Sequence, residues 1–475
     1  MNYQLAAEPL KFVLDEIEAV SRFGRGPILR EGMAAAKKRR ADFSNDLEMY
    51  LTGLGIDPGT RRYADDLLDQ YWAKQRTPLL RRLKGPGQQT KREVIIGSGF
   101  HAAAYAAVRV ASGFPRPIVV DQAERAGGIF AMTRRPLFYL NSSNRPGGPG
   151  FVQDFGAQPN YLPGAPVQPS NLSSAEFETN ADMAWVIRMT LAQNAEVLTG
   201  FKIDNFRSGF FGERPMLIGA DGSEILVARV IDARGLGAPR DLGAANGTTV
   251  LTFPQFMERM DQPWPLRGVQ RVAVIGDGDA ARVSVEQLVG VGPQVNLAMA
   301  NDRVELIDWY GKQLPSTPSD WRNVERTRYL PIAKFLSNGK VGTRKVRVFN
   351  RRVRAVALPD QALVQGRSYD LVVLATGWSP STRPPNLGGF SEDLVTYSVG
   401  DLEVGRVGPS NDTVAQVFRV GPHARLGFNR YEEADDLDRK TNEISMSRLG
   451  PKTAALAASL PEPNAVGDRL ATLAA

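Results

Sequence analysis

From Glu93 onward the apolar residues come in short unbroken runs: Val94-Ile95-Ile96, Ile118-Val119-Val120, Val272-Ala273-Val274-Ile275 and Leu371-Val372-Val373-Leu374. Runs of this kind suit strands buried on both faces, which occur where helices cover both sides of a parallel sheet. Helical segments, residues 102–112 and 174–193, lie between some of them, so strand and helix alternate and the class predicted is α/β. Short strands are expected around Val197, Ile203 and Met216, with Asp221-Gly222 as a hairpin turn. The first 90 residues are patterned differently. Phe12, Ile17 and Val20, then Leu47, Tyr50 and Leu51, then Leu67, Leu68 and Trp72 recur at helical spacing until Gly85-Pro86-Gly87 breaks the pattern. Residues 1–90 are therefore expected to form a helical extension set off by a linker.

Composition narrows the chemistry. The chain has 475 residues and no cysteine, which excludes a disulfide framework, a thiolate metal site and a dithiol electron relay. Two histidines, His101 and His423, are too few for an ordinary zinc or copper site, and no metal is expected. No apolar run approaches the length of a membrane span and the N-terminus does not resemble a signal peptide, so a cytoplasmic location is expected. Residues 1–92 hold 17 Lys and Arg against 12 Asp and Glu, part of a formal charge of +7. This basic extension is either a solvated helical face or a surface for a partner protein or for self-association; nucleic acid is not expected.

The strongest signal is a repeated motif. The first copy, Gly97-Ser98-Gly99-Phe100-His101-Ala102, follows a strand and opens a helix. Gly97 makes the tight turn, Gly99 admits a pyrophosphate to the backbone, Ala102 lets helix and strand pack closely, and the helix N-terminus offers unpaired N–H groups to phosphate. Asp121, directly after the next strand, is placed for a ribose hydroxyl pair. His101 lies inside the loop, where a hydrogen bond to the cofactor or to a neighbouring strand is expected of it. The second copy is Gly276-Asp277-Gly278-Asp279-Ala280-Ala281, in which Gly276, Gly278 and Ala281 repeat the three roles. Asp277 and Asp279 are unfavourable neighbours for an anion. A strand over 294–300 is expected to end at Asn301-Asp302-Arg303, where Arg303 would favour the 2′-phosphate of NADPH and the acid would favour NADH.

With these two copies in order, the chain resembles the FAD- and NAD(P)-binding oxidoreductases with two dinucleotide-binding domains, a superfamily that includes thioredoxin-reductase-like enzymes and flavin-containing monooxygenases. The resemblance extends to Ala126-Gly127-Gly128, to Val373-Leu374-Ala375-Thr376-Gly377 and, in degenerate form, to Val230-Ile231-Asp232-Ala233-Arg234-Gly235. It implies FAD at the first loop, with Gly127 and Gly128 beside it, and NADPH or NADH at the second, with Thr376 and Gly377 nearby. Two Rossmann-like domains are then expected, the NAD(P)H domain at 266–368 inserted into an FAD domain made of 91–265 and 369–475. Asn141-Ser142-Ser143-Asn144-Arg145 is similar to a segment that flavin-containing monooxygenases carry beside the flavin, which implies a catalytic position for Asn141. Likewise Val420-Gly421-Pro422-His423 is similar to the late turn facing the flavin pyrimidine, where Gly421 would approach the cofactor and His423 would stabilise charge on the reduced ring.

The activity implied is hydride transfer from nicotinamide to flavin. Monooxygenation of a small molecule through a flavin C4a-hydroperoxide, reductase or oxidase activity without hydroxylation, and a non-catalytic flavoprotein role all remain open. The Phe-x-Gly-x-x-x-His-x-x-x-Trp signature of the monooxygenases is not found. The aromatic run Trp309-Tyr310, with Trp321 and Tyr329 beyond it, is either core or the wall of a substrate channel.

Overall fold

The computed structural model describes residues 61–84, 92–140, 162–165, 177–207, 215–235, 237–293, 304–315, 332, 336, 345–379, 394–399, 402–407, 417–422 and 446–460. In chain order the first half contains helix α1 (Arg61–Lys84), strand β1 (Glu93–Ile96), helix α2 (Phe100–Ala111), β2 (Ile118–Val120), α3 (Asn180–Asn194) and β3 (Glu196–Leu198). A small antiparallel sheet of β4 (Ile203–Arg207), β5 (Met216–Gly219) and β6 (Glu224–Leu226) leads to β7 (Arg229–Asp232). The expected turn at Asp221-Gly222 joins β5 to β6.

The second half runs β8 (Ala238–Pro239), β9 (Val250–Thr252), α4 (Phe253–Met260), β10 (Arg271–Ile275), α5 (Asp279–Val289), β11 (Leu306–Gly311) and β12 (Lys345–Asn350). A three-stranded sheet, β13 (Ala355–Ala357), β14 (Ala362–Val364) and β15 (Arg367–Tyr369), precedes β16 (Leu371–Leu374) and β17 (Trp378–Ser379). The chain then returns through β18 (Leu394–Val399), β19 (Leu402–Val407) and β20 (Val417–Arg419) to α6 (Met446–Ser459).

Two large sheets result. The first has the order β18-β19-β20-β7-β1-β2-β3, with β20, β7, β1, β2 and β3 parallel and the β18–β19 hairpin added at one edge. Val94 lies in register with Ile118 on one side and Val230 on the other, so two of the apolar runs meet with β7 at the centre of this sheet. Helix α2 is buried along its whole length, and its six alanines let α3 and α6 approach closely over one face. A capping box starts α3: the Asp182 amide donates to the Thr179 hydroxyl while the Thr179 amide donates to the Asp182 carboxylate.

The second sheet is fully parallel, in the order β12-β11-β10-β16-β9. Its membership moves the boundaries expected from sequence. Both β9 and the run Leu371–Leu374 pair into it, so it spans residues 250–374, whereas 266–368 was expected. The antiparallel bridge of β8 with β17 ties the chain entering this half to the chain leaving it.

Helix α1 corrects a second expectation. It is not set apart from the domain that follows, because Leu68 and Trp72 belong to the main core and Leu79 and Leu83 pack under the other face of the first sheet. Arg76 donates to the Gly200 carbonyl at 3.1 Å, and Arg82 and Lys84 pair with Glu196 and Asp221. Residues 1–60 and the Gly85-Pro86-Gly87 break lie outside the described residues. Among the described residues no helix is long and apolar enough to cross a membrane.

Candidate functional site

Both glycine loops sit where a strand hands over to a helix at the carboxyl edge of a parallel sheet, and the two are built alike. At the first, Gly97 has φ +99°, and a Cβ there would stand 2.7 Å from the Ala233 carbonyl oxygen at the end of β7. At the second, Gly276 has φ +143°, and a Cβ would stand 2.0 Å from the Ala375 oxygen at the end of β16. Each first glycine is thus locked against the carbonyl of the alanine that follows the fourth strand of its sheet, a contact only glycine admits. Gly97 N–H donates to the Val120 carbonyl at 2.8 Å and Gly276 N–H to the Tyr310 carbonyl at 2.8 Å, so in each sheet the neighbouring strand on the other side, β2 or β11, holds the same turn.

In the first loop the Ser98 amide and hydroxyl both donate to Asp121, at 2.8 and 2.5 Å, and the Ala123 amide donates to the other carboxylate oxygen at 2.9 Å. Asp121 therefore ties the loop to the end of β2. Gly127 N–H donates to the Ser98 carbonyl at 3.1 Å, and a Cβ on Gly128 would stand 2.9 Å from the Gly99 Cα. Gly97, Ser98, Gly99, Asp121, Gly127 and Gly128 are brought together as one glycine-walled cradle in front of the α2 N-terminus. The side chains of Phe100, His101 and Ala102 point into protein: all three are buried.

His101 pairs with helix α6 rather than with a neighbouring strand. Its Nδ1 lies 3.0 Å from the Thr453 hydroxyl on α6, and that hydroxyl donates to the Leu449 carbonyl at 2.9 Å, so Nδ1 carries the proton and Thr453 accepts it. Burial pushes the imidazole down to about 3, and it stays neutral. Gly421 abuts the other edge of the ring, where a Cβ would stand 2.3 Å from His101 Cδ2. His101 is thus a spacer between α6 and the turn after β20.

Sequence reasoning missed the residues that brace this cradle. Arg188, wholly buried on α3, donates to the Ala126 carbonyl at 3.0 Å and to Asp69 of α1 at 2.7 Å, and its guanidinium lies 4.9 Å from the Trp72 ring centre. Arg125 stands beside it; burial, then the neighbouring Arg188 and Arg134, push its guanidinium down to about 9. Crowded positive charge next to Gly127 and Gly128 is the electrostatic setting for an anion. The available signal was an arginine inside the apolar run Val186-Ile187-Arg188-Met189.

At the second loop Gly278 caps α5, and a Cβ there would meet nothing within 4 Å, so the space before the helix is open. Ala281 is fully buried, as close helix packing requires. The Asp277 carboxylate is turned back to accept the Lys312 amide at 3.0 Å, which lessens its expected repulsion of an anion. Trp309 Nε1–H donates to the Gly276 carbonyl at 2.8 Å, and Trp309 and Tyr310 are wholly buried, so this part of the aromatic run is core. The Thr376 hydroxyl donates to the Arg240 carbonyl at 2.9 Å, and Gly377 has φ +84°.

β10 pairs with β16 on one side and β11 on the other; β11 ends at Gly311, and Lys312 follows it. Arg303 itself lies outside the described residues, but Glu305 binds Gln270 at the opposite end of β10 from Gly276. Lys312, not Arg303, therefore follows the carboxyl end of the strand beside β10. Asn141, His423, Trp321 and Tyr329 are likewise outside the described residues; their neighbours Leu140 and Pro422 are within them.

No protein-family model matches the sequence, and no curated protein matches it. Solved structures do. The ornithine N-hydroxylase of Kutzneria sp. 744 superposes with a TM-score of 0.52 at 14% identity, over 80% of this chain and 99% of that one. The cadaverine monooxygenase of desferrioxamine biosynthesis from Erwinia amylovora, solved with FAD bound, gives 0.50 at 12% identity, over 79% of this chain and 95% of that one. The chain shares the fold of these two structures, a mixed α/β arrangement with parallel sheets.

Proposed function

We propose that this chain is an FAD-dependent oxidoreductase that accepts hydride from NADPH. The observation that carries the reading is the duplicated backbone lock, Gly97 on Ala233 and Gly276 on Ala375, each in front of a helix N-terminus. The first cradle fits the FAD pyrophosphate: its walls are glycine, Arg125 and Arg188 supply positive charge, and Asp121 keeps acceptor capacity for a ribose. The second fits the nicotinamide dinucleotide, with Lys312 at the carboxyl end of the second strand as the contact for a 2′-phosphate. Bound together, the two cofactors supply the redox chemistry, and the protein supplies orientation and exclusion of water. Asn141 and His423 remain proposed positions at the flavin.

For the electron acceptor we propose dioxygen, with hydroxylation of a small molecule. The chain has no cysteine to relay electrons to a disulfide, and the two structures described above are named as a hydroxylase and a monooxygenase. The purified protein should be yellow with about one non-covalent FAD per chain, and anaerobic NADPH should bleach it. Gly99→Val should abolish flavin content, whereas Gly278→Val should spare it and prevent reduction. A colourless protein that cannot be reconstituted with FAD refutes the cofactor, and a flavin that neither nucleotide bleaches refutes the hydride donor.

A further inference from the structure

Helix α5 touches both halves of the molecule. Its first turn opens from Gly278, and its later turns reach residues 137–140 of the first half, the segment that leads into Asn141. The Gln287 amide donates to the Leu137 carbonyl, and the Arg282 guanidinium donates to the Tyr139 carbonyl at 3.4 Å. On its other side the same segment is held by the first domain: Leu137 and Phe138 amides donate to Asn180 Oδ1 at 2.8 and 3.1 Å, and the Leu140 amide donates to the Glu178 carbonyl at 2.7 Å. Four residues of backbone are thus clamped between the domains.

One turn along from Arg282 stands Glu286, paired with it at 3.3 Å; both side chains are about as buried as side chains become, 2% and 1% exposed. Arg282 Nε and Glu286 Oε2 have no hydrogen-bond partner among the described residues. A buried, incompletely bonded ion pair is a poor source of stability, because desolvation of two charges offsets their attraction and apolar residues would fill the space as well. Its outward contacts are the Tyr139 carbonyl, which accepts from Arg282, and the Ile332 backbone amide, which donates to Glu286.

We propose that Arg282 and Glu286 are a positioning pair that sets the register between the helix of the nicotinamide loop and the segment entering the flavin site. This rests on the assignment of the two loops given above. The ionised Glu286 carboxylate holds one guanidinium nitrogen so that the other reaches Tyr139; a proton on Glu286 releases that hold. The groups facing Glu286 are Asp279 and Arg282 from its own helix, the Ile332 backbone amide and Tyr139 across the seam, while α4 and strands β10, β11 and β16 present apolar side chains to α5. Burial foremost, with Asp279 adding to it and Arg282 opposing, raises the carboxyl to about 7. The clamp is therefore closed above neutral pH and loosened below it.

Hydrogen exchange of the full-length protein, followed by mass spectrometry from pH 5.5 to 8.5 and corrected for intrinsic chemistry, tests the pair without reference to activity. In the wild type, amides of residues 137–140 should exchange about tenfold faster at the acid end. Glu286→Gln and Arg282→Met should show the faster exchange at every pH, and Arg282→Lys should restore part of the protection. In the flavin-loaded enzyme, Glu286→Gln should lower the limiting rate of anaerobic reduction by NADPH about ten- to hundredfold, with FAD content and half-saturating nucleotide within about twofold of wild type. Exchange at 137–140 that is pH-independent in the wild type, or unchanged in folded Glu286→Gln and Arg282→Met, overturns the proposal. If neither nucleotide reduces the wild-type flavin, the hydride-transfer reading is at fault, and the exchange measurement alone decides the pair.

Discussion

Removing helix α1 should empty the flavin site, although no residue of that helix belongs to a glycine loop. The connection runs through Arg188. Its guanidinium supports the Ala126 carbonyl and its side chain lies 3.4 Å from where a Gly127 Cβ would stand, so it backs the second wall of the cradle. Arg188 is in turn held by Asp69 and covered by Trp72, both on α1. Taking one partner from a buried ion pair costs about 3–5 kcal/mol, and because Asp69 is 25% exposed the loss for Asp69→Asn belongs near the low end. Trp72→Ala removes a large core side chain, at about 3–5 kcal/mol. Against a total stability of about 5–15 kcal/mol either change is a large fraction. The flavin-to-protein absorbance ratio of the purified variants, with urea midpoints for stability, measures both effects. Asp69→Asn and Trp72→Ala should lower the two together, Asp69→Glu should retain much of each, and a chain beginning at Gln88 should lack flavin. Full flavin content and an unchanged midpoint in the chain beginning at Gln88 would refute the reasoning.

Three further outcomes are expected. Gly276→Ala forces a Cβ onto the Ala375 carbonyl at a φ of +143°, so it should destabilise the protein by roughly 1–3 kcal/mol and impair reduction by nucleotide while FAD remains bound, checked by thermal unfolding and flavin content. Glu286, raised from 4.5 to about 7 in the folded protein, binds its proton more tightly folded than unfolded. Its contribution is full below pH 4.5 and is lost as pH rises through 7, up to about 3 kcal/mol, so Glu286→Gln should gain on the wild type in urea midpoint between those values and level off above. Lys312→Ala should raise the NADPH concentration needed for half-reduction about ten- to hundredfold and leave NADH nearly unaffected; an equal change with both nucleotides would place the 2′-phosphate elsewhere.

The parts of this molecule legible in sequence were those in which one residue type answers one local demand. Gly97, Gly99, Gly276 and Gly278 stand between a buried apolar run and a helix, and Asp121 ends the next run; the cradle they build needs no distant partner to be recognised. What was illegible depended on tertiary pairing. Leu371–Leu374 has the same composition whichever sheet it joins, and only its register with Val272 and Val250 assigns it to the second. Residues 304–311 look like any buried strand, and only their pairing with β10 puts Lys312, not Arg303, after the carboxyl end of the strand beside the second loop. Helix α1 has helical spacing but weak amphipathicity in sequence, and its role follows from where Arg188 lies. Glu286 and Gln287 read as the polar face of α5 until the first half of the molecule covers them.

The closing strands carry this one step further. Ala375-Thr376-Gly377 matches the motif of the superfamily, whereas Ala233-Arg234-Gly235 has arginine where threonine is expected, and the mismatch counts in sequence against a working first domain. The backbone does not share the mismatch: Gly235 has φ +74° beside +84° at Gly377, and Ala233 receives Gly97 as Ala375 receives Gly276. The odd side chain is absorbed locally, since Arg234 forms a two-pronged pair with Asp232 at 2.8 and 2.7 Å and keeps its charge despite burial. At the second strand the Thr376 hydroxyl instead binds the Arg240 carbonyl in the bridge between the halves. The middle residue thus differs because its neighbours differ, and the motif consists of the alanine carbonyl and the glycine turn. A degenerate side chain is weak grounds for discounting a nucleotide site whose first glycine still has that carbonyl to pack against.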